Sequence, residues 1–382
     1  MHHTLDTPHR PALTTRRSRA GALTLPLVLL VGVLAALVGI APGPATARTT
    51  STTASTASPT TGPTASAPSE CATSGTYVWS HLHACGWPSG GTTGPQAKNC
   101  PGGTLTPRGD NNQSVIHLRT AGALVSCQQI KGCLSVEAPN VVIRDVAVQC
   151  TSGRTGEDAN GTAVISVTHG ASAKIVRTAT DGLRGVHACV WHMGTALEVN
   201  RLDCKHVNDG VFSWASSGDS SEGDHFTVLN SYLHSFTTRT ANGHIDGYQT
   251  EGASHGLIRH NTLLMTSDDN NSSDSAIAIW DGQKSSSDIL VKHNLIAGGG
   301  FSVYAHDYSP SDSNPSGGFS VTDVRFVDNV FSKRLFGCVG QWGVWFTRGQ
   351  PTDGWHRSGN EVLETQADID DQNPENGGQV CS

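Results

Sequence analysis

The run His244-Ile245-Asp246-Gly247-Tyr248-Gln249 puts an imidazole, a carboxylate and an amide within six residues. These are the groups of general acid–base chemistry: a proton shuttle, an acid or base, and a positioning group. Upstream, His206-Val207-Asn208-Asp209-Gly210-Val211 holds the same kinds of residue before an equivalent apolar stretch. If both runs enter stacked strands, Asp209 and Asp246 stand one strand apart, about 5 Å. Carboxylates that close repel, which favours a retained proton near neutral pH. Asp246 is then the acid or base, Asp209 its partner, and His244 the shuttle or orienting group. Alternation along a strand puts Asp246 and Tyr248 on one face and Gln249 on the other. The opposing reading is that Asp246-Gly247 is only a turn.

Further along, Asp274 precedes Ala276-Ile277-Ala278-Ile279-Trp280-Asp281, and Tyr304, His306 and Asp307 follow. Stacked on one side, these residues extend a groove. Gln249, His206, Tyr248, Trp280, Tyr304 and His306 are its candidate substrate contacts. An elimination mechanism needs a base, for which His244, Lys205 and Arg239 are candidates. It also needs a cation to neutralise a substrate carboxylate. Calcium is the alternative cofactor, from Asp219, Glu222 and Asp224 or from Asp209 with Asp246. No local run has a dedicated calcium-loop spacing, so no metal is assigned.

The elements that must position these groups show in a recurring phrase: an apolar residue, polar ones, then an apolar residue five positions on. The pairs are Ile143/Val148, Ile175/Thr180, Leu197/Leu202, Val228/Leu233, Ile258/Leu263, Val291/Ile296 and Phe326/Phe331, with starts 22 to 35 residues apart. That period belongs to solenoids and arrays. Short Val/Ile/Leu/Phe runs bounded by Gly, Asn, Asp and Ser read as strands. One rung cannot bury its own apolar side, but stacked rungs can. Three places into the later phrases stand Ser231, Asn261, Asn294 and Asn329, read as a structural ladder that bonds up and down the stack and tolerates left-handed backbone. Asn230, His260, His293 and Asp328 form a polar file beside it.

The stretch Gly132-Cys133-Leu134-Ser135-Val136-Glu137-Ala138-Pro139-Asn140-Val141-Val142-Ile143 resembles a first coil of secreted bacterial members of the pectate-lyase-like superfamily. Gly86-Trp87-Pro88 followed by Thr92-Thr93-Gly94-Pro95 is similar to their entry segment. The resemblance covers about residues 85–335. It implies an all-β, right-handed parallel β-helix, in a superfamily of lyases, hydrolases and non-catalytic proteins. Asn208-Asp209-Gly210 only partly resembles the Asn-Thr-Asp motif of polygalacturonase-like hydrolases. Their Gly-His-Gly and Arg-x-Lys motifs are missing, and Asp268-Asp269 lies in a Ser- and Asn-rich stretch that reads as a solvated turn.

Composition divides the 382 residues. Residues 1–47 read as an export signal, with Arg16, Arg17 and Arg19, an apolar stretch from Gly21 to Ala41, and Ala45-Thr46-Ala47 as cleavage site. An uncleaved anchor is the alternative, since the apolar stretch is long. Residues 48–70 are a Thr/Ser/Ala/Pro linker that cannot order itself. Residues 71–382 form the β-helix domain. Residues 71–125 are expected to cap its N-terminal end, 126–336 to form the coils, and 337–382, with Trp342, Trp345 and Trp355, to cover the other end or a side. All ten cysteines follow the linker, which suggests disulfides in an oxidising compartment. Cys338 and Cys381 are expected to pair. Cys150 and Cys204 hold equivalent places in phrases two coils apart, near 10 Å, too far to bond directly. A formal charge of −7 without a basic patch argues against nucleic acid. The expectation is a secreted, monomeric, extracellular protein that cleaves a polysaccharide by glycoside hydrolysis on the β-helix flank. Elimination on a uronate polymer and non-catalytic carbohydrate binding are the alternatives.

Overall fold

The computed structural model describes residues 67–72, 74–151, 162–183, 186–215, 221–237, 245–267, 274–306, 319–348, 355–372 and 380–381. The expected export signal, nearly all of the linker, His244, Asp219, Arg239, Asp268 and Asp269 lie outside them.

Among these residues the chain is almost wholly strand and turn. A nine-stranded sheet stacks Val115–Leu118, Cys133–Val136, Ala163–Val167, Ala188–His192, Asp209–Trp214, Asp246–Glu251, Ser275–Trp280, Phe301–His306 and Gly343–Arg348 in that order. Each strand pairs in parallel with the next. A seventeen-stranded sheet takes up the chain between these visits, also in parallel register. Long parallel sheets visited in strict succession are consistent with a parallel β-helix-like solenoid. Apolar side chains from both sheets fill one continuous interior, with Ile143, Ile175, Val199, Val228, Ile258, Val291 and Phe326 all buried. Each such side chain contributes about 1.5–3 kcal/mol.

Register corrects one phrase. Ile175 pairs with Val199, and Val199 with Val228, while Thr180 pairs with Cys204. The third rung is therefore Val199/Cys204, two residues beyond the expected Leu197/Leu202. Leu197 and Val199 share parity and both point inward, so apolar pattern alone cannot separate the two registers. The shift also moves Cys204 into the file of Val148 and Thr180 rather than that of Cys150. Two further rungs, Val125/Ile130 and Arg357/Val362, extend the stack at its ends.

The Asn file is a continuous hydrogen-bonded ladder. Asn294 Nδ2 donates to Asn329 Oδ1 at 2.9 Å and to the Ile258 carbonyl at 3.0 Å. Asn294 Oδ1 accepts from Asn261 Nδ2 and from the Asn261 backbone N–H, both at 3.0 Å. The ladder runs from Ser231 to Asn360, where Asn360 Nδ2 donates to Asp370 at 2.6 Å. The left-handed residue is not the ladder Asn but the one before it: Asn230, His260, His293 and Asp328 have φ of 51°, 54°, 52° and 53°. Division of labour explains this. The αL residue turns the chain, and the next side chain, now buried, bonds across coils.

Residues 71–96, expected as part of an end cap, lie along the flank of the larger sheet. Trp79 donates its indole N–H to Ser332 Oγ at 2.9 Å, and Trp79, Leu82 and Trp87 bury against Leu295 and Leu363. The segment then runs back toward the early coils. The Gly94 N–H donates to the Arg201 carbonyl at 3.0 Å, and the Gln96 N–H to Asp145 at 3.1 Å. Residues 106–126 enter the first paired strands. At the other end Trp345 is interior, edge-on to Phe326 and Phe331, with its N–H donating to the Ile369 carbonyl at 3.1 Å. Trp342 is exposed, and the Trp355 side chain lies outside the described residues.

Five disulfides join Cys71–Cys85, Cys100–Cys127, Cys133–Cys150, Cys189–Cys204 and Cys338–Cys381. Cys133–Cys150 and Cys189–Cys204 each cross the interior within one coil, from the nine-stranded sheet to the larger one. Such a complement fits an oxidising environment. No helix among the described residues is long and apolar enough to cross a membrane.

The ladder makes a stability prediction. Asn294→Ala removes two donated bonds and leaves the Asn261 amide and the Ile258 carbonyl without their partner in a dry interior. The expected cost is about 2–4 kcal/mol, read as a lower urea midpoint at unchanged slope; a loss under about 0.5 kcal/mol would show that the ladder carries no net stability.

Candidate active site

The Asp-Gly steps decide which way the candidate carboxylates face. A Cβ on Gly210 would strike the core side chain of Leu233, and one on Gly247 those of Leu263 and Met265. Both glycines therefore face the interior, as do the next residues, Val211 and Tyr248. Two successive inward residues break the pleat, so Asp209 and Asp246 fall on the outer face with Phe212 and Gln249. The expected sharing of a face by Asp246 and Tyr248 is thereby corrected. Tyr248 is buried inside, stacked on Phe226 at 5.0 Å. Strict alternation fails because glycine has no side chain to hold off the core.

Asp209 and Asp246 are in adjacent strands. The Asp246 N–H donates to Asp209 Oδ1 at 3.2 Å, and Ser275 in the next strand donates its hydroxyl to Asp246 Oδ1. Both carboxylates are 0% exposed. On the other side stands His187, which directly precedes the strand Ala188–His192. Its Nε2 lies 2.5 Å from Asp209 Oδ2, without the directed geometry of a hydrogen bond. The ring packs against Trp191 at 5.4 Å and Phe212 at 5.5 Å, which fixes its plane. His187 was missed in the sequence because, unlike His206 and His244, it is not followed within three residues by an Asp-Gly step. Its signal is positional: Ala188 pairs with Asp209, so His187 stands a rung before Asn208.

Two outer files run beside the carboxylates. One carries Trp191, Phe212, Gln249, Ala278, Tyr304 and Phe346, and the other Trp214, Glu251 and Trp280. Tyr304 stacks on Phe346 at 4.5 Å and meets Trp280 edge-on at 5.7 Å. Glu251 sits between two indoles in its file; the sequence reading passed over it. Buried polar atoms on this face lack hydrogen-bond partners: Trp191 Nε1, Gln249 Oε1, Asp209 Oδ2 and His187 Nδ1.

Other candidates are elsewhere. His206, in left-handed backbone, turns to Asp181 at 2.9 Å, and Lys205 Nζ lies 3.7 Å from the same carboxylate. Neither joins Asp209. His306 ends its strand in the Trp280 file, and its side chain is outside the described residues. Of the acids proposed for calcium, Asp219 lies outside the described residues, and Glu222 and Asp224 are otherwise engaged. Glu222 pairs with His169, and Asp224 accepts from Lys284 at 2.9 Å and from the Ser254 N–H at 2.6 Å. Among the described residues no group of three or more His, Cys, Asp or Glu is arranged to hold a metal.

Comparison with known proteins found no matching family model, no matching curated protein and no matching solved structure. The reading of this site therefore rests on its own geometry.

The inner face of the same strands holds a histidine that titrates far from its usual range. Burial drives His192 down to about 4, opposed by the carbonyl and charge of Asp224 and reinforced by Lys284 and His225. The ring is neutral in the folded chain at pH 5, when the unfolded chain has already taken up a proton. Its contribution to stability is therefore whole above pH 6.5, is lost as pH falls from 6.5 to about 4, and is flat below. The loss totals about 3 kcal/mol. Denaturant unfolding at pH 7 and pH 4 reads it, and a His192→Gln chain with the parent's full pH difference would exclude His192 as the source.

Proposed function

We propose that this is a secreted carbohydrate-active protein with a right-handed parallel β-helix of the pectate-lyase-like kind, which hydrolyses a polysaccharide on the outer face of the nine-stranded sheet. One observation carries the reading. An indole N–H and an amide oxygen are buried without hydrogen-bond partners among aromatic rings on adjacent rungs, beside a carboxylate oxygen that faces His187 without a directed hydrogen bond. That mixture of donor and acceptors suits hydroxyl groups, which both give and take hydrogen bonds, and sugar rings stack on aromatic faces.

In this reading Asp209 and Asp246 are the catalytic pair. Asp246 serves as acid or base, Asp209 as its partner, and His187 orients Asp209. Their separation by one rung, about 5 Å, fits retention of anomeric configuration, in which one carboxylate attacks and the other moves the proton. Trp214, Trp280 and Tyr304, only partly buried, serve as stacking surfaces. His244, beside Ile245, remains a candidate shuttle.

A second reading is non-catalytic. Both carboxylates are wholly buried, and Asp246 is held by Ser275. This favours a structural pair under a carbohydrate-binding surface made by the tryptophans.

A panel of polysaccharides with the oxidised full chain separates the readings. Hydrolysis gives new reducing ends without ultraviolet-absorbing unsaturated sugars, with the β or α configuration retained by proton NMR. Asp246→Asn and Asp209→Asn are each expected to lower kcat by about 10²–10⁴-fold while the circular dichroism spectrum is unchanged. Full activity in Asp246→Asn removes that assignment. Binding without products in the parent supports the second reading, and unsaturated products support elimination.

A further inference from the structure

Behind the outer face, the interior of three consecutive rungs is not wholly apolar. His192, Ser213 and Thr250 are register neighbours, one on each strand, and all are 0% exposed. Tyr248, 1% exposed, is two residues before Thr250 and also faces inward. Four of their polar atoms, His192 Nδ1, Ser213 Oγ, Tyr248 OH and Thr250 Oγ1, are buried with no hydrogen-bond partner. Four such atoms together are unusual, because each unpaired group costs about 1–3 kcal/mol.

The groups are close but do not pair with one another. The hydroxyls of Ser213 and Thr250 are near enough to the Tyr248 phenol to oppose the rise that burial imposes on it, yet neither completes a bond to it. Rung spacing does not forbid a bond between register partners, since the Ser254 and Ser287 hydroxyls stand 3.2 Å apart, but Ser213 and Thr250, also register partners, make none. A water molecule, which both donates and accepts, joins groups that do not align with one another.

The chemistry of the four atoms is also complementary to water. His192 Nε2 donates to the Asp224 carbonyl at 3.0 Å, so the neutral ring offers a lone pair at Nδ1. Water supplies the missing donor there, and accepts from or donates to the three hydroxyls. The set carries no net charge, which gives an ion no advantage over water.

We propose that the solenoid interior holds ordered water bridging His192 Nδ1, Ser213 Oγ, Tyr248 OH and Thr250 Oγ1, on the inner side of the strands that bear Asp209 and Asp246. The inference is independent of any activity. Buried waters of this kind make about three hydrogen bonds to groups that otherwise have none.

A crystal structure of the full chain tests it directly. Density for a water within hydrogen-bond distance of His192 Nδ1 and at least two of the hydroxyls is expected. Empty density, with the hydroxyls paired to each other or to backbone, overturns the proposal. Thr250→Val gives a solution test whose sign differs between the two cases. In a dry interior the change removes an unpaired hydroxyl, and melting temperature holds or rises. With water present it removes a partner of that water, and melting temperature falls by several degrees. If Thr250→Val does not fold, the parent crystal still decides.

Discussion

The spacing between stacked strands is the constraint from which the rest follows. Backbone hydrogen bonds between parallel rungs fix it near 4.8 Å, and every side chain must live with the residue directly above and below. Asn suits that geometry at the bends because one amide reaches both neighbours: Asn329 accepts from Asn294 and donates to Asn360, each at 2.9 Å. Cysteines bond across the interior of one coil, as Cys189 does with Cys204 at a Cα separation of 5.9 Å, rather than between distant coils. The same spacing brings Asp209 beside Asp246, and the Ser254 hydroxyl within 3.2 Å of that of Ser287.

Much of this architecture is legible because it is local and periodic. The Ile258/Leu263 and Val291/Ile296 phrases pair residue for residue in the sheet. Legibility ends where the pattern is degenerate or the contact remote. Leu197 and Val199 are both buried, so the register of the third rung needs the neighbouring strands to choose it. The first rung is masked by Cys127 and the last by Arg357, neither an expected occupant. Trp79 and Ser332 are 253 residues apart, and no periodicity links them. Residues 71–125 are expected to cap an end of the stack; within them, the contacts of Trp79 and Trp87 draw residues 71–96 along the flank.

The candidate site was legible in one dimension only. Equivalent Asp-Gly steps placed Asp209 and Asp246 on adjacent rungs, and the Asp246 N–H bond to Asp209 agrees. Which face they occupy was not legible, because alternation assumes a side chain at every position. Gly210 and Gly247 turn inward with the residue that follows each, and so reset the parity. His206, three residues before Asp209, was expected as a substrate contact. Its left-handed backbone points it to Asp181, while His187, a whole rung earlier, meets Asp209. Proximity in a stacked fold is measured across coils, and a search confined to one run overlooks it.

The asparagine file and the carboxylate file invite comparison, since both are buried polar columns in register. In the first, ladder oxygens and amide nitrogens are paired, ending on Asp370. A column selected only for stability is expected to end in that condition, because unpaired buried groups are costly. The second is different. Asp209 keeps one carboxylate oxygen without a directed partner, His187 keeps Nδ1, and Gln249 keeps its amide oxygen, all on one face with Trp191. Those groups stay open beside a satisfied ladder in the same molecule, and under the proposed function a ligand that supplies hydroxyls would pair them. The proposal rests on that contrast between the two columns more than on the presence of two aspartates.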